Sequence, residues 1–218
     1  MKKCLFYLAI GIGLASCSQK KQKPVTTNVK SSVENITQQN QEALDDALLT
    51  SFINDVGFDF LNKCYYERNL NTYIRDEHDN LKEFMDPAIG LRRYHLPGAM
   101  VYLSGKDENY GFMDFDDFEF EPTSQGESTL SVMDVNQDPC ELDFNQGRTA
   151  YLHLVKELPE YFSQQTNEIE KVVLPYKDAK IIVMYVMDKY ERPKALFFID
   201  TPKGMKLGFV DDAVCGNR

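Results

Sequence analysis

The apolar positions between Glu42 and Asn69 repeat at helical spacing. One row of apolar side chains recurs every four residues: Leu44, Leu48, Phe52, Val56, Phe60 and Cys64. Because positions three and four apart share one face of an α-helix, this pattern predicts an amphipathic helix over the whole range. Gly57 lies inside the helix and costs about 1 kcal/mol relative to Ala, which points to close packing at that position.

A second, more polar helix is predicted after a turn at residues 69–71. It extends from Thr72 to Met85 and ends before Pro87, because the residue preceding a proline disfavours helical geometry. Residues 88–103 contain Gly and Pro residues that interrupt any regular element. We therefore expect a connection there that leads into a strand near Ala99–Leu103.

The second half of the chain has the pattern of β-strands. Strands are predicted at Phe115–Glu121, Thr129–Val135, Ile169–Pro175, Lys180–Asp188, Pro193–Asp200 and Met205–Asp211. The connector Thr201–Gly204 places Pro and Gly where a type I turn favours them, so the last three strands are expected to form an antiparallel meander. Arg148–Gln165 is mixed, since its apolar spacing suits a short helix that Pro159 interrupts.

Helices followed by a meander indicate the α+β class. We expect N-terminal helices packed on a curved antiparallel sheet. The order resembles the cone-shaped NTF2/SnoaL family in the helix from Glu42 to Asn69, its turn, and the strands from Lys180 to Asp211. The stretch from Gly105 to Gln165 is longer than that family usually carries between these parts. A cystatin-like layout of helix on sheet is the alternative.

The first seventeen residues have the pattern of a secretory signal. Two lysines precede an apolar run from Leu5 to Leu14, about half the length of a membrane-spanning helix. The tetrad Leu14-Ala15-Ser16-Cys17 then resembles the lipobox of bacterial lipoproteins. The resemblance implies removal of residues 1–16 and attachment of acyl chains such as palmitate at Cys17, with more than one chain for stable anchoring. An ordinary cleaved signal or a retained membrane segment is the alternative.

The residues after Cys17 bear on location and on domain organisation. Ser18 and Gln19 stand where an Asp would mark inner-membrane retention, so the resemblance implies an outer-membrane lipoprotein of the bacterial envelope. The lysines that follow differ from the acidic residues of surface-exported lipoproteins, which favours a domain facing the periplasm. Residues 17–40 are too polar to bury a core and are predicted to form a flexible tether. Residues 41–218 then form a single domain.

Charge is distributed unevenly along the chain. Residues 18–40 hold four Lys and one Glu, whereas residues 41–218 hold 18 basic and 33 acidic residues. A strongly acidic domain disfavours nucleic acid, whose binding requires neutralisation of phosphates. The same balance favours solubility, cations or basic partners, and a solvated acidic surface is the simplest interpretation.

Three cysteines follow Cys17. Cys64 falls on the apolar face of the first predicted helix, whereas Cys140 and Cys215 lie near turns. An odd number of cysteines in an oxidising compartment favours one disulfide and one thiol, so a Cys140–Cys215 bridge is predicted, with three free thiols as the alternative. The spacing lacks a Cys-x-x-Cys pair, and neither zinc binding nor redox catalysis is expected.

Two acidic segments are candidates for metal sites. Asp134–Asp138 matches the start of a calcium loop, but Pro139 stands where that loop needs Gly and Asn145 where it needs Glu. We interpret the segment as a polar turn and predict no metal and no cofactor. Asp107–Glu121, rich in acids and aromatic residues, fits a hard-cation site or a groove for a basic partner. A charged edge strand that resists aggregation is favoured.

The three histidines are too scattered for a metal set. His78 lies among acids on the second predicted helix and is expected in solvent, while His153 is a candidate for the interior of a cone. His95 follows Arg92 and Arg93, a short basic cluster in an acidic domain. Such a cluster can bind a carboxylate or phosphate, or it can pair with nearby acids.

Motifs that name a chemistry are missing from the sequence. It contains no Gly-x-Ser-x-Gly, no glycine-rich phosphate loop and no His-Glu-x-x-His, so no residue receives a catalytic role. We predict a lipid-anchored envelope protein that binds a small molecule or a protein partner without catalysis. An NTF2-like enzyme with acid and base residues in an apolar cavity is the alternative. An assembly partner with an exposed apolar patch is a third possibility.

Overall fold

The computed structural model describes residues 41, 43–66, 83–104, 128–134, 136–144, 148–187 and 192–216. Contacts divide the chain after Gln41, and the second unit, Glu42–Arg218, contains every element described below. That unit is an α+β fold in which one helix packs on a mixed sheet of seven strands.

The first helix, α1, covers residues 43–66 and confirms the prediction from the apolar stripe. Its second half is irregular. Ile53–Gly57 and Leu61–Tyr66 have π-helical hydrogen bonding, and a short α-helical piece, Phe58–Phe60, lies between them. Wider π turns of this kind interrupt an α-helix where side-chain packing or function demands it.

Close packing of α1 against the sheet explains its glycine. Phe52, Phe60 and Leu61 are buried, so the apolar stripe faces the sheet. A Cβ atom on Gly57 would lie 2.8 Å from Leu130 Cδ1, a distance that real Cβ contacts do not show. The expectation of close packing at Gly57 is confirmed.

Nine strands are described. They are β1 (Arg92–His95), β2 (Tyr102–Leu103), β3 (Ser128–Val132), β4 (Arg148–Val155), β5 (Tyr161–Ser163), β6 (Glu168–Glu170), β7 (Ile181–Met187), β8 (Pro193–Thr201) and β9 (Gly204–Asp211). The main sheet has the order β2-β1-β9-β8-β7-β4-β3, and β5 pairs with β6 in a separate hairpin. A 3-10 helix, Pro139–Glu141, lies between β3 and β4.

The predicted meander of β7, β8 and β9 is confirmed, including the tight turn at Pro202-Lys203. The expectation of a wholly antiparallel sheet is wrong. Strand β1 runs parallel to β9, and β3 runs parallel to β4. These pairs are joined by long connections rather than tight turns, and connections of a dozen or more residues allow parallel pairing.

Three further expectations are corrected. The short helix expected in Arg148–Gln165 is absent from the described residues, because strands on both sides hold residues 148–155 as β4. The strand expected at Ile169–Pro175 is limited to Glu168–Glu170. The described residues contain one long N-terminal helix rather than several, and Met85 forms a β-bridge with Leu207 where the second helix was expected to end. Residues 67–82 lie outside the described chain.

The two faces of the sheet carry separate apolar clusters. Side chains alternate along each strand, and one set packs against α1; we call this side the helix face. It includes Leu152, Ile182, Met184, Phe198 and Val210. The other set, the loop face, is covered by residues from the connections between elements. Its strand residues include Tyr94, Val183, Tyr185, Phe197 and Phe209, and its covering residues include Ile89, Met133, Leu142, Phe144 and Leu158.

Candidate functional site

A cleft of about 420 Å³ opens between the β1–β2 edge of the sheet and the β5–β6 hairpin. The Phe162 backbone N–H donates a 2.7 Å hydrogen bond to the Val101 carbonyl, which attaches the hairpin to the chain beside β2. The described residues that line the cleft are Arg92, His95, Tyr102, Leu103, Tyr161, Phe162, Ser163, Gln164, Gln165 and Glu170. Residues of two separate sheets therefore form the cleft.

A phenol lies close to both the cationic and the anionic group of the cleft. The Tyr161 hydroxyl donates to Glu170 Oε2 at 3.0 Å, and the positive charge of the nearby Arg92 guanidinium partly opposes the rise in the pKa of that phenol. Arg92 Nε donates to the Ser104 carbonyl at 2.9 Å, which fixes the guanidinium against the sheet edge. These bonds preorganise the polar side of the cleft.

The pKa values of this network follow from its contacts. Hydroxyl donation from Thr166, and then from Tyr161, lowers the pKa of Glu170, so its carboxyl is ionised at neutral pH. Burial, followed by the Glu170 contact, raises the pKa of the Tyr161 phenol, which therefore stays protonated. A neutral phenol can donate to the carboxylate.

Aromatic rings form the apolar side of the cleft. Tyr102 packs edge-to-face with Phe162, with ring centroids 5.7 Å apart, and tilts against His95 at 6.0 Å. Gln164 and Gln165 are exposed at the tip of the hairpin and place two amides at the rim. The cleft therefore combines aromatic surface with both donors and acceptors, which is the composition of a small-molecule site.

The structure separates the basic cluster identified in the sequence. Arg92 and His95 line the cleft. Arg93 instead forms a largely buried ion pair with Asp212, in which Nε lies 2.7 Å from Oδ2 and Nη2 contacts the same oxygen. The expected pairing with a nearby acid is confirmed for Arg93, whereas anion binding by Arg92 stays a prediction.

A buried acid lies on the loop face. Asp211 ends β9, opposite Tyr94 on β1 and Ala195 on β8, and Ala195 in turn lies opposite Tyr185. Burial raises the pKa of Asp211 to about 7, even though the Ala213 N–H donates to its Oδ1 at 2.7 Å. Burial likewise raises the pKa of Tyr185 to about 12. Asp211 does not line the cleft described above, nor the second cleft described below.

A disulfide joins Cys140 to Cys215, with the Cα atoms 5.6 Å apart. It connects the 3-10 helix to the segment that follows β9, and Val214 of that segment packs on the loop face. The bridge therefore fastens two irregular covering segments to each other.

Other candidate residues from the sequence lie outside the cleft. Asp138 accepts the Cys140 N–H at 2.9 Å and caps the 3-10 helix, so the calcium-like segment is a polar turn. His153 lies on β4 opposite Val183 on the loop face, and burial lowers its pKa. The described residues contain no group of three or more His, Cys, Asp or Glu placed to hold a metal ion.

Several predictions concern residues outside the described chain. These are the lipid-attachment residue Cys17, His78, Asn145 and the acidic stretch Asp107–Glu121. The chain around Cys64 is helical, but its side chain is likewise outside the description. None of the helical segments in the described part of the chain combines the length and apolar character needed to cross a bilayer.

A second cleft, of about 340 Å³, lies between the end of β4 and the segment that precedes β7. Two of its charged side chains, Lys171 and Glu157, form an ion pair, and Lys171 also lies 3.6 Å from Glu160, which is outside the lining. All three side chains are more than half exposed. Exposed pairs of this kind contribute little to a fixed geometry. The first cleft, which we call the Arg92 cleft, is therefore the better-organised candidate.

Sequence reasoning missed most of the cleft. Tyr102, Tyr161 and Glu170 come from three strands, each only two or three residues long. The available signal was the two exposed glutamines next to an aromatic pair, Tyr161-Phe162, which alone identifies no site.

The fold and the cleft define an α+β protein with a polar, aromatic-lined groove at one edge of its sheet. No protein-family model, curated protein or solved structure matches the chain.

Proposed function

We propose that this protein is a non-catalytic binding module, anchored in the bacterial envelope by lipid on Cys17, which takes a small polar ligand in the Arg92 cleft. The observation that carries the binding role is the set of fixed polar groups beside the Tyr102 ring: Arg92, held by the Ser104 carbonyl, and Glu170, held by the Tyr161 hydroxyl. Groups held in place before a ligand arrives reduce the entropy lost on binding.

The envelope location is supported by residues rather than by similarity to known proteins. The tetrad Leu14-Ala15-Ser16-Cys17 has the lipobox pattern, and residues 17–40 have the composition of a tether. The Cys140–Cys215 disulfide suits an oxidising compartment such as the periplasm. Residues 1–16 would be the cleaved signal, and residues 41–218 the domain held at the outer membrane.

An NTF2/SnoaL-like fold is the finer structural proposal. It is supported by a helix packed on the β7–β9 meander. A cystatin-like arrangement remains the alternative. An enzyme of the NTF2 type would need acid and base groups in an apolar cavity, and the group that favours it is Asp211, buried beside Tyr94 and Tyr185. Loss of a turnover activity in Asp211→Asn would support that second function.

Replacing Cys17 tests the anchor. The Cys17→Ala variant is expected to lose palmitate labelling and to move from the membrane pellet to the soluble fraction, because no thiol remains to receive the lipid. Cys4→Ala, which alters a cysteine inside the predicted signal, is the matched control and should label normally. A Cys17→Ala protein that still labels and sediments would overturn the anchor.

Ligand screening by NMR tests the binding site. The full chain carrying Cys17→Ala is titrated with neutral saccharides, amino acids, citrate and inorganic phosphate while backbone amide shifts are recorded. At least one class is expected to shift the amides of Tyr102, Phe162 and Gln164. The double variant Gln164→Ala/Gln165→Ala should weaken that binding, whereas Gln137→Ala, an exposed glutamine outside the cleft, should not. If no class shifts the cleft amides, the proposed function fails.

A further inference from the structure

The charges that line the Arg92 cleft balance. Among its described residues, Arg92 is the permanent cation and Glu170 the ionised carboxylate. Tyr161 donates to Glu170 and lies within the electrostatic influence of Arg92, so the two opposite charges belong to the same side of the cleft. A monoanion would gain from the guanidinium but meet the carboxylate, and a cation would meet the reverse. A cleft of this kind favours a ligand without net charge.

The cleft offers both hydrogen-bond donors and hydrogen-bond acceptors. The Arg92 guanidinium offers the donors of its two Nη groups, since Nε is hydrogen-bonded to the Ser104 carbonyl. The carboxylate offers acceptors, and each of Gln164 and Gln165 offers both. A ligand that satisfies such a mixture needs many groups that donate and accept at once. Hydroxyl groups have this property, whereas carboxylates only accept and ammonium groups only donate.

The aromatic side of the cleft adds a flat apolar surface. Tyr102 is half-buried, and its contacts with Phe162 and His95 hold the ring in place. A pyranose ring presents a face of C–H groups, which packs on an aromatic face, while its equatorial hydroxyls point outwards to planar polar side chains. The cleft's size falls within the range of roughly 300–1,000 Å³ that small-molecule sites occupy, and it leaves room for one or two sugar rings.

We propose that the Arg92 cleft binds a neutral saccharide, with Tyr102 as the platform for the ring and with Arg92, Glu170, Gln164 and Gln165 as the hydroxyl-binding groups. This assignment rests on the proposed binding function and names its ligand class.

Calorimetric titration of the full chain carrying Cys17→Ala tests the assignment. The probes are glucose, N-acetylglucosamine and cellobiose, compared with glycine, glutamate, citrate and inorganic phosphate. At least one saccharide is expected to bind, with an affinity that changes less than twofold between low salt and 0.5 M NaCl, because screening acts on net charge. Tyr102→Ala is expected to weaken binding at least tenfold.

Two variants keep the result interpretable. Gln164→Ala/Gln165→Ala alters exposed residues only and should weaken saccharide binding severalfold without changing Tm. Gln137→Ala should match the unaltered chain. Binding of amino acids, citrate or phosphate in the cleft without saccharide binding would overturn the saccharide assignment and leave the binding function standing. Saccharide binding that these cleft variants do not change would overturn the assignment as well. Absence of binding by every probe would overturn both.

Discussion

The helix face and the loop face of the sheet are covered in different ways. On the helix face, four aromatic side chains, Phe52, Phe60, Phe84 and Phe198, pack edge-to-face with centroids 4.9 to 5.3 Å apart. The loop face contains the buried Asp211, two tyrosines and a disulfide among its covering segments.

The difference follows from what covers each face. A single helix brings many apolar side chains to a sheet with one periodic stripe, so apolar packing alone can hold it. The segments over the loop face are irregular and contribute a few residues each. Each such segment loses backbone entropy for little burial, which explains why capping hydrogen bonds and a covalent bridge hold these segments.

Truncation of Phe198 should produce the largest effect. Phe198 is fully buried between Phe52 and Phe60, and Phe198→Ala is expected to lower the free energy of unfolding by about 3–5 kcal/mol, through lost burial and the cavity left behind. Urea unfolding measures this loss of stability. Val173→Ala, at a side chain that is 92% exposed, is the control and should change stability by less than about 0.5 kcal/mol. Equal effects would mean that α1 does not depend on this cluster.

Removal of the disulfide should come next. Cys215→Ser is expected to destabilise the protein by about 2–4 kcal/mol, since the bridge closes a long loop and restricts the unfolded chain. Hydrogen exchange should show faster exchange in residues 136–144 and 213–216 and unchanged exchange in α1. Cys140→Ser should reproduce the result, and a reducing agent should have no further effect on either variant. If amide protection in α1 fell to the same extent, the two faces of the sheet would not be stabilised independently of each other.

The buried acid predicts a pH dependence confined to the loop face. The pKa of Asp211 is raised to about 7 from an ordinary value of 3.8, so between those values the folded state holds a proton that the unfolded chain has released. Stability should therefore fall as pH rises from about 4 to about 7, by at most about 1.4 kcal/mol per unit, and level off above.

The variant Asp211→Asn isolates this contribution. It keeps an oxygen for the Ala213 N–H and removes the ionisation, so its stability relative to the unaltered chain should increase with pH across the same window. Urea unfolding at several pH values measures the difference. Asp178→Asn, at a side chain that is 85% exposed, should show no such trend. A difference that does not vary with pH would mean that Asp211 is not buried as an acid.

The smallest effect is expected at Tyr94. Its hydroxyl is buried and has no hydrogen-bond partner among the described residues. Tyr94→Phe removes that group without changing the ring contacts with Phe197 and Phe209, and should raise the free energy of unfolding by up to about 1 kcal/mol. Thermal unfolding measures the change. A destabilised variant would show that the hydroxyl has a partner.

The sequence predicts the elements that carry a strong local signal. The helix over residues 43–66 and the meander of β7, β8 and β9 follow from periodicity, apolar runs and turn residues, and the structure confirms them. The same patterns do not predict strand β1. Arg92–His95 contains three polar residues, and the strand is held by its neighbours β2 and β9. Parallel pairing is missed for the same reason, since it depends on long connections.

The cleft could be predicted only in part. The basic cluster pointed to Arg92 and His95, because cations are scarce in an acidic domain. Tyr161 and Glu170 could not be linked to them, since a two-stranded hairpin reaches the sheet edge through one backbone hydrogen bond between Phe162 and Val101. Short-range patterns in a sequence do not encode contacts that span about sixty residues and rest on so few bonds.

The parallel pairing of β1 with β9 also has a kinetic consequence. The two strands are more than a hundred residues apart in the chain, whereas β7, β8 and β9 are joined by short connections. The meander can thus form early, and β1 has no surface to join until β9 is in place. Throughout that interval β9 is an unpaired edge that can recruit the β9 strand of another chain. Refolding yield should accordingly fall with protein concentration during the slow step alone, which makes docking of β1 the point at which this chain is most exposed to aggregation.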